Sequence, residues 1–179
     1  MKRLAGFALA IVPLSTYWLA TRASPFYYSL SMIGNQLGFR MRFIIWGIMN
    51  GLLLSFVIIR LYVLNSFRDH RARNLLICSS VFLTLTVFIP FMQNHWVLSK
   101  IHDLTAFAFG ASIIASLYLF IRFLSKKRKM IYHWSRKWFS FIVSISILLY
   151  FVFGSTGIFE LFFFIGLSLF LGALNQKLC

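Results

Sequence analysis

The chain has 179 residues, 60% of them hydrophobic and only 12% charged, with 18 Lys and Arg against 3 Asp and Glu. Soluble globular domains carry about 25% charged residues and about 45–50% apolar ones, so this composition belongs to a membrane protein. Its net charge of +15 is clipped into short segments between apolar runs. Without a basic stripe it excludes a nucleic-acid partner and points to anionic lipid at one membrane face.

A helix needs about 20 mainly apolar residues to cross the hydrocarbon core, with a working range of about 17–25. In chain order, six segments meet this approximately: 4–20, 43–64, 75–93, 102–124, 138–153 and 157–174, the fifth and sixth being short. The first begins "MKRLAGFALAIVP", a basic start before an apolar run, and is read as a retained span rather than a cleaved signal peptide. No segment alternates as a barrel strand does. The fold class predicted is therefore all-α, a polytopic bundle of about six transmembrane helices forming one integral membrane domain over 1–179.

The segment after the first span, "TRASPFYYSLSMIGNQLGFRMR", is too apolar to float freely. It should lie in the interface or dip between helices, with Gly34 and Gly38 allowing the bends. The second span carries Gly47, Gly51 and Ser55 at four-residue spacing beside Asn50, and the fourth carries Ala106/Gly110 and Ala111/Ala115. Small residues let helix backbones approach in lipid, so these two spans are expected at the centre of the bundle, as packing surfaces before pocket walls. Pro13 and Pro90 fall inside the first and third spans and should free carbonyls and kink them. "GSTG", 154–157, joins the last two spans as a hairpin. No internal repeat or second domain is visible.

Alternating spans place fourteen cations on one side: Lys2, Arg3, Arg60, Arg68, Arg71, Arg73, Arg122, Lys126, Lys127, Arg128, Lys129, Arg136, Lys137 and Lys177. Arg22, Arg40, Arg42 and Lys100 fall on the other. The positive-inside rule then puts both termini in the cytoplasm of a bacterial-type cell membrane. Trp18, Trp46 and Trp96 are expected at the outer headgroup level, Trp134 and Trp138 at the inner one. Cys78 and Cys179 show no metal or disulfide spacing and are read as free thiols.

Two of the three carboxylates fall at the outer end, Glu160 in the last span and Asp103 beside His102 at the start of the fourth. Asn35, Arg40, Arg42, Asn94 and His95 share that level. The third, Asp69, sits among Arg68, Arg71 and Arg73 and reads as a solvated charge pair. An ionisable side chain within a span costs a few kcal/mol unless it is paired, and marks a functional site by default. The candidate ligand-binding residues are Glu160, His102, Asp103, Arg40, His95 and Asn35, enough to hold a phosphate on arginine and a cationic or hydroxyl group on the carboxylates. A structural ion pair of Glu160 with Arg40 or His102 would explain part of the set equally well. The spacing of His95, His102 and Glu160 fits no common metal pattern, and no cofactor is implied. There is no nucleophile elbow, no H-E-x-x-H and no P-loop. Ser29 or Ser31 would serve as a nucleophile only if the loop folded back onto His102.

"SMIGN" (Ser31 to Asn35), "HD" (His102 and Asp103), "NGL" and "GIFE" together resemble a bacterial family of small six-helix membrane proteins of unknown function, similar in architecture to the Frag/DRAM/Sfk group. The resemblance spans nearly the whole chain. It implies lipid-linked or membrane-homeostasis roles, with Ser31, Gly34, His102 and Asp103 as candidate positions. The function expected is a pocket in the outer leaflet that binds an amphipathic or lipid ligand. The alternatives are a small transporter subunit and a lipid-modifying enzyme using His102 with Asp103 or Glu160. Partners expected are membrane lipids, anionic on the cytoplasmic side, with a protein partner as the alternative.

The charge division makes a direct prediction: both termini and the loops expected at 65–74 and 125–137 are cytoplasmic. In a background lacking Cys78 and Cys179, single cysteines at Ser66 and Ser125 should react with an impermeant thiol reagent only after the cells are opened. Labelling of intact cells would reverse the topology.

Overall fold

The computed structural model describes residues 2–92 and 95–178; Asn94, Cys179 and the expected end of the third span at 93 lie outside them. Seven helices are formed by the described residues: α1 Lys2–Ala20, α2 Leu30–Gln36, α3 Arg40–Leu64, α4 His70–Phe88, α5 Trp96–Lys127, α6 Lys129–Phe153 and α7 Gly157–Leu178. No strand occurs among the described residues. α3 to α7 are long and apolar enough to cross a membrane, whereas the described apolar part of α1, Ala5–Ala20, is shorter. Apart from the seven-residue α2, successive helices run in opposite directions. The chain thus has a Glu160 end and an opposite, basic end.

The helices close into a ring. α1 packs on α3, α3 on α4, α4 on α5, α5 on α6, α6 on α7, and α7 returns to α1. α3 also touches α7 across the middle. Aromatic rings fill the space between them: Trp46 of α3 meets Phe164 of α7 at 5.0 Å, and Phe164 stacks on Phe109 of α5 at 5.8 Å. Toward the basic end, Phe67 meets Tyr62, Phe120 and Phe123 at 4.9–5.4 Å. Lipid tails are as apolar as these rings, so the gain comes from dispersion and ring geometry rather than from exclusion of water.

Buried hydroxyls and amides tie the seams. Asn50 donates to the Trp46 carbonyl at 2.7 Å and meets Ser15 of α1. Tyr62 meets Ser116 Oγ at 2.7 Å, and Ser116 in turn donates to the Ala72 carbonyl at 2.6 Å, joining α3, α5 and α4.

Several expectations are corrected. The basic stretch 125–137 is not a loop: α5 runs to Lys127, α6 starts at Lys129, and only Arg128 breaks the helix. Lys and Arg are good helix formers and keep their heads wet on long stems, so the helices outrun their apolar cores. Pro90 kinks nothing, because α4 has already ended at Phe88. Proline drives the residue before it out of the helical region, and Ile89 is extended at φ −77, ψ 117. Gly38 does make a bend, at φ +79, but Gly34 lies inside α2, where a Cβ would come 2.5 Å from Phe43 Cβ. Trp46 is buried and donates through Nε1 to Thr16 Oγ1 at 3.0 Å, so it is a core indole and not part of a belt. Trp18 and Trp96 lie at the ends of α1 and α5, and Trp134 and Trp138 in the first half of α6. Arg22 lies 4.5 Å over Trp18, Lys100 4.7 Å over Trp96 and Lys177 4.9 Å over Trp134. Asp69 forms no charge pair with a described residue; its Oδ1 accepts the Arg71 and Ala72 amides as the N-cap of α4.

The small-residue stripes also part company. On α3 the stripe faces α4: a Cβ on Gly47 would sit 2.2 Å from Val87 Cγ1, one on Gly51 3.1 Å from Leu83, and Ser55 lies 2.8 Å from Ser80. Gly110 of α5 has open space around it. The centre of the ring is therefore shared by α3 and α7, each half buried along its apolar window, rather than by α3 and α5.

Gly47→Ala should lower stability by about 1–3 kcal/mol through overpacking, and Val87→Ala should restore part of it. Gly110→Ala should unfold at or above the wild-type temperature, read by thermal unfolding in detergent. Equal melting of the two alanine variants would mean that the α3–α4 contact is looser than described.

Candidate functional site

The Glu160 end is organised by backbone groups that need partners. The first amides of any helix lack intrahelical acceptors. α7 starts directly from the Gly154–Gly157 turn, in which Gly154 adopts φ +71. Its first two amides, Gly157 and Ile158, donate to the carbonyls of Tyr28 and Pro25 at 3.0 and 2.9 Å. Glycine is needed here, since a Cβ at 157 would lie 2.7 Å from that Tyr28 oxygen.

The bond is returned. Glu160, one turn into α7, accepts the Leu30 amide of α2 on Oε2 at 2.6 Å. Ser29 completes the cap of α2 by accepting from Met32 at 3.1 Å, and its Oγ lies 2.9 Å from Ser31 Oγ. The two serines thus engage each other and the backbone, with no bond to His102. The partner of Glu160 is a main-chain amide, not Arg40 or His102.

Arg40 and His102 meet a second set of exposed backbone groups, where Pro90 has stopped α4. Arg40 Nη2 donates to the Phe88 carbonyl at 3.1 Å, and its Nη1 to Asn35 Oδ1 at 2.6 Å. Asn35 holds itself by donating to the Ser31 carbonyl at 2.8 Å. His102 is buried, and its Nδ1 lies 2.9 Å from the Ile89 carbonyl, an acceptor that places the proton on Nδ1. Phe91 packs edge-on to the imidazole at 5.7 Å. Arg40 and His102 are therefore gathered on two adjacent carbonyls, with Asn35 bonded to Arg40.

Asp103 is exposed and lies close enough to Glu160 for the two charges to act on each other. Neither carboxylate has a Lys or Arg ion-pair partner among the described residues. His95 is exposed at the N-cap of α5, seven residues before His102 and so about 10 Å along the helix. Arg42 is drawn aside, with its guanidinium 5.4 Å over Trp18 and 5.1 Å over Phe39. No three His, Cys, Asp or Glu side chains among the described residues are grouped as metal ligands.

Sequence reasoning missed the carbonyls of Pro25, Tyr28, Phe88 and Ile89, which order this end. Pro90 and Gly157 were the signals for two of them, one as a helix stop and one as a close approach.

Glu160→Leu strips the acceptor from the Leu30 amide, and an orphaned amide costs about 1–3 kcal/mol. Glu160→Gln keeps a carbonyl oxygen in place and should retain most of that stability. Hydrogen exchange at Leu30 should accelerate strongly in the leucine variant and little in the glutamine variant; equal protection in both would break the assigned bond.

Comparison with family models, with curated proteins and with solved structures finds no match to this chain.

Proposed function

We propose that the chain is a six-span cell-membrane protein, α1 and α3 to α7 crossing the bilayer with both termini cytoplasmic. Its outward end receives an amphipathic, lipid-like ligand whose cationic or hydroxyl-bearing head meets Glu160 and Asp103. The orientation is supported by the fourteen cations gathered at one end, and by cation–aromatic pairs at both ends, a setting that suits the headgroup level. α1 joins the spans on this reading because it closes the ring between α3 and α7. A lipid-linked role also agrees with the resemblance to the Frag/DRAM/Sfk group.

One observation carries the ligand reading: two carboxylates at the same end of the bundle act on each other electrostatically, and neither has a Lys or Arg ion-pair partner among the described residues. Like charges in a low dielectric repel strongly, and an ammonium or hydroxyl donor relieves both at once. Glu160 accepts the Leu30 amide through one oxygen, leaving the other for a ligand, and Asp103 is exposed. Arg40 is committed to Asn35 and Phe88 and Arg42 to Trp18, so a phosphate group finds no free guanidinium here. His95 borders the opening.

Asp103→Asn removes one charge without touching a hydrogen bond of the fold and should leave the melting temperature unchanged. Native mass spectrometry from mixed nanodiscs should show it retaining severalfold less phosphatidylethanolamine relative to phosphatidylcholine, and Glu160→Gln should do the same. Unchanged retention in both variants would make the carboxylates purely structural.

A further inference from the structure

The densest charge in the chain lies where α5 hands over to α6. Seven Lys or Arg fall within residues 122–137, and no Asp or Glu occurs between Asp103 and Glu160. These cations divide by what they meet. Lys127 donates to the Asn65 carbonyl at 3.2 Å and Arg128 to the Leu178 carbonyl at 3.5 Å, so these two hold the junction to its neighbours. Lys129, Arg136 and Lys137 are exposed. Their one hydrogen bond to a described residue runs from Arg136 to the Tyr132 hydroxyl, at 3.5 Å within α6 itself. Asp69, the carboxylate at this end, is engaged by the α4 amides.

The spacing along α6 sorts its first half into three stripes. Ser135, Phe139, Ile142 and Ser146 are buried and face the bundle. Lys129, His133, Arg136 and Lys137 follow one another at i, i+4, i+7 and i+8, an exposed basic stripe about 12 Å long. Between the two, on the outward side, come Met130, Trp138 and Phe141, which are 85%, 51% and 52% exposed. Trp138 lies 6.4 Å from Trp134 and meets Phe141 edge-on at 6.1 Å. Unpaired cations and uncovered rings therefore stand side by side, at the same depth of one helix.

We propose that this side of α6 is a binding site for an anionic phospholipid, its phosphate held by Arg136 and Lys137 and its acyl chain lying along Trp138 and Phe141. Arginine offers phosphate a planar fork and lysine adds a point charge. The rings select a lipid over an acidic protein segment, which would answer the charges and leave the apolar stripe bare. Basic residues flanked by tryptophan on one helix are the pattern that suits an anionic membrane surface. The site is independent of the ligand reading at the Glu160 end.

The test is native mass spectrometry of the full chain released from nanodiscs holding equal phosphatidylglycerol and phosphatidylcholine with the same acyl chains. Wild type should keep phosphatidylglycerol severalfold over phosphatidylcholine. Arg136→Gln with Lys137→Gln should bring the two toward parity while melting like wild type, since both side chains are exposed. Arg71→Gln with Arg73→Gln removes the same charge from α4 at the same end, and should keep the wild-type ratio. Trp138→Ala should lower retention of both lipids. A wild type without preference would overturn the proposal, and so would a preference that survives the loss of Arg136 and Lys137. Equal losses in the two double variants would overturn it as well, by reducing the effect to net charge. Wild-type retention by Trp138→Ala would do the same, because the rings are what mark this site as one for a lipid.

Discussion

A bilayer offers no water to a bare N–H, so irregular backbone at membrane depth survives only where protein groups satisfy it. The exchange between α7 and the segment before α2 answers that constraint. α7 gives its first two amides to Tyr28 and Pro25, and Glu160 takes the first amide of α2 in return. The stretch between α1 and α3 can therefore pack against the bundle without being a span. Arg40 and His102 do the same for the carbonyls left at the end of α4. Most of the polar residues at this end serve the main chain first, and any ligand chemistry has to use what they leave over.

The helices were largely legible in the sequence because an apolar run of bilayer length admits little else. Their ends were not. Hydropathy falls where Lys126, Lys127 and Lys129 begin, while helical backbone continues through them with a single break at Arg128. The residues of the cluster at the Glu160 end were legible because polar side chains in an apolar chain are conspicuous; their partners were hidden, because a backbone carbonyl or amide carries no letter of its own. Leu30 and Glu160 are 130 positions apart, and only the folded ring brings them together. Trp46 shows the same limit: an indole near a span end suits the headgroup level unless a hydroxyl such as that of Thr16 waits inside.

Small residues divide by what surrounds them. Gly34, Gly47 and Gly157 stand where a methyl group would strike Phe43, Val87 or the Tyr28 carbonyl, so backbone contact requires them. Gly6 and Gly110 stand in open space, where the same residue type adds nothing to helix contact. Spacing alone cannot separate the two cases, which is why the stripes on the second and fourth spans looked alike in sequence. Only the α3 stripe proved to be a tight seam.

The ring closes through α1 and α7, the first and last helices of the chain. Domains are generally built from the N-terminal side during synthesis, so α1 is made long before its neighbour α7 exists. Until then α1 has α3 to rest on, through the bonds of Thr16 and Ser15 with Trp46 and Asn50, while its α7-facing side has no helix to cover it. α4 and α5 have no such wait, being adjacent in the chain and in the ring. Emergence of α7 therefore completes two things in one docking event: it covers the waiting face of α1 and delivers the carboxylate that caps α2.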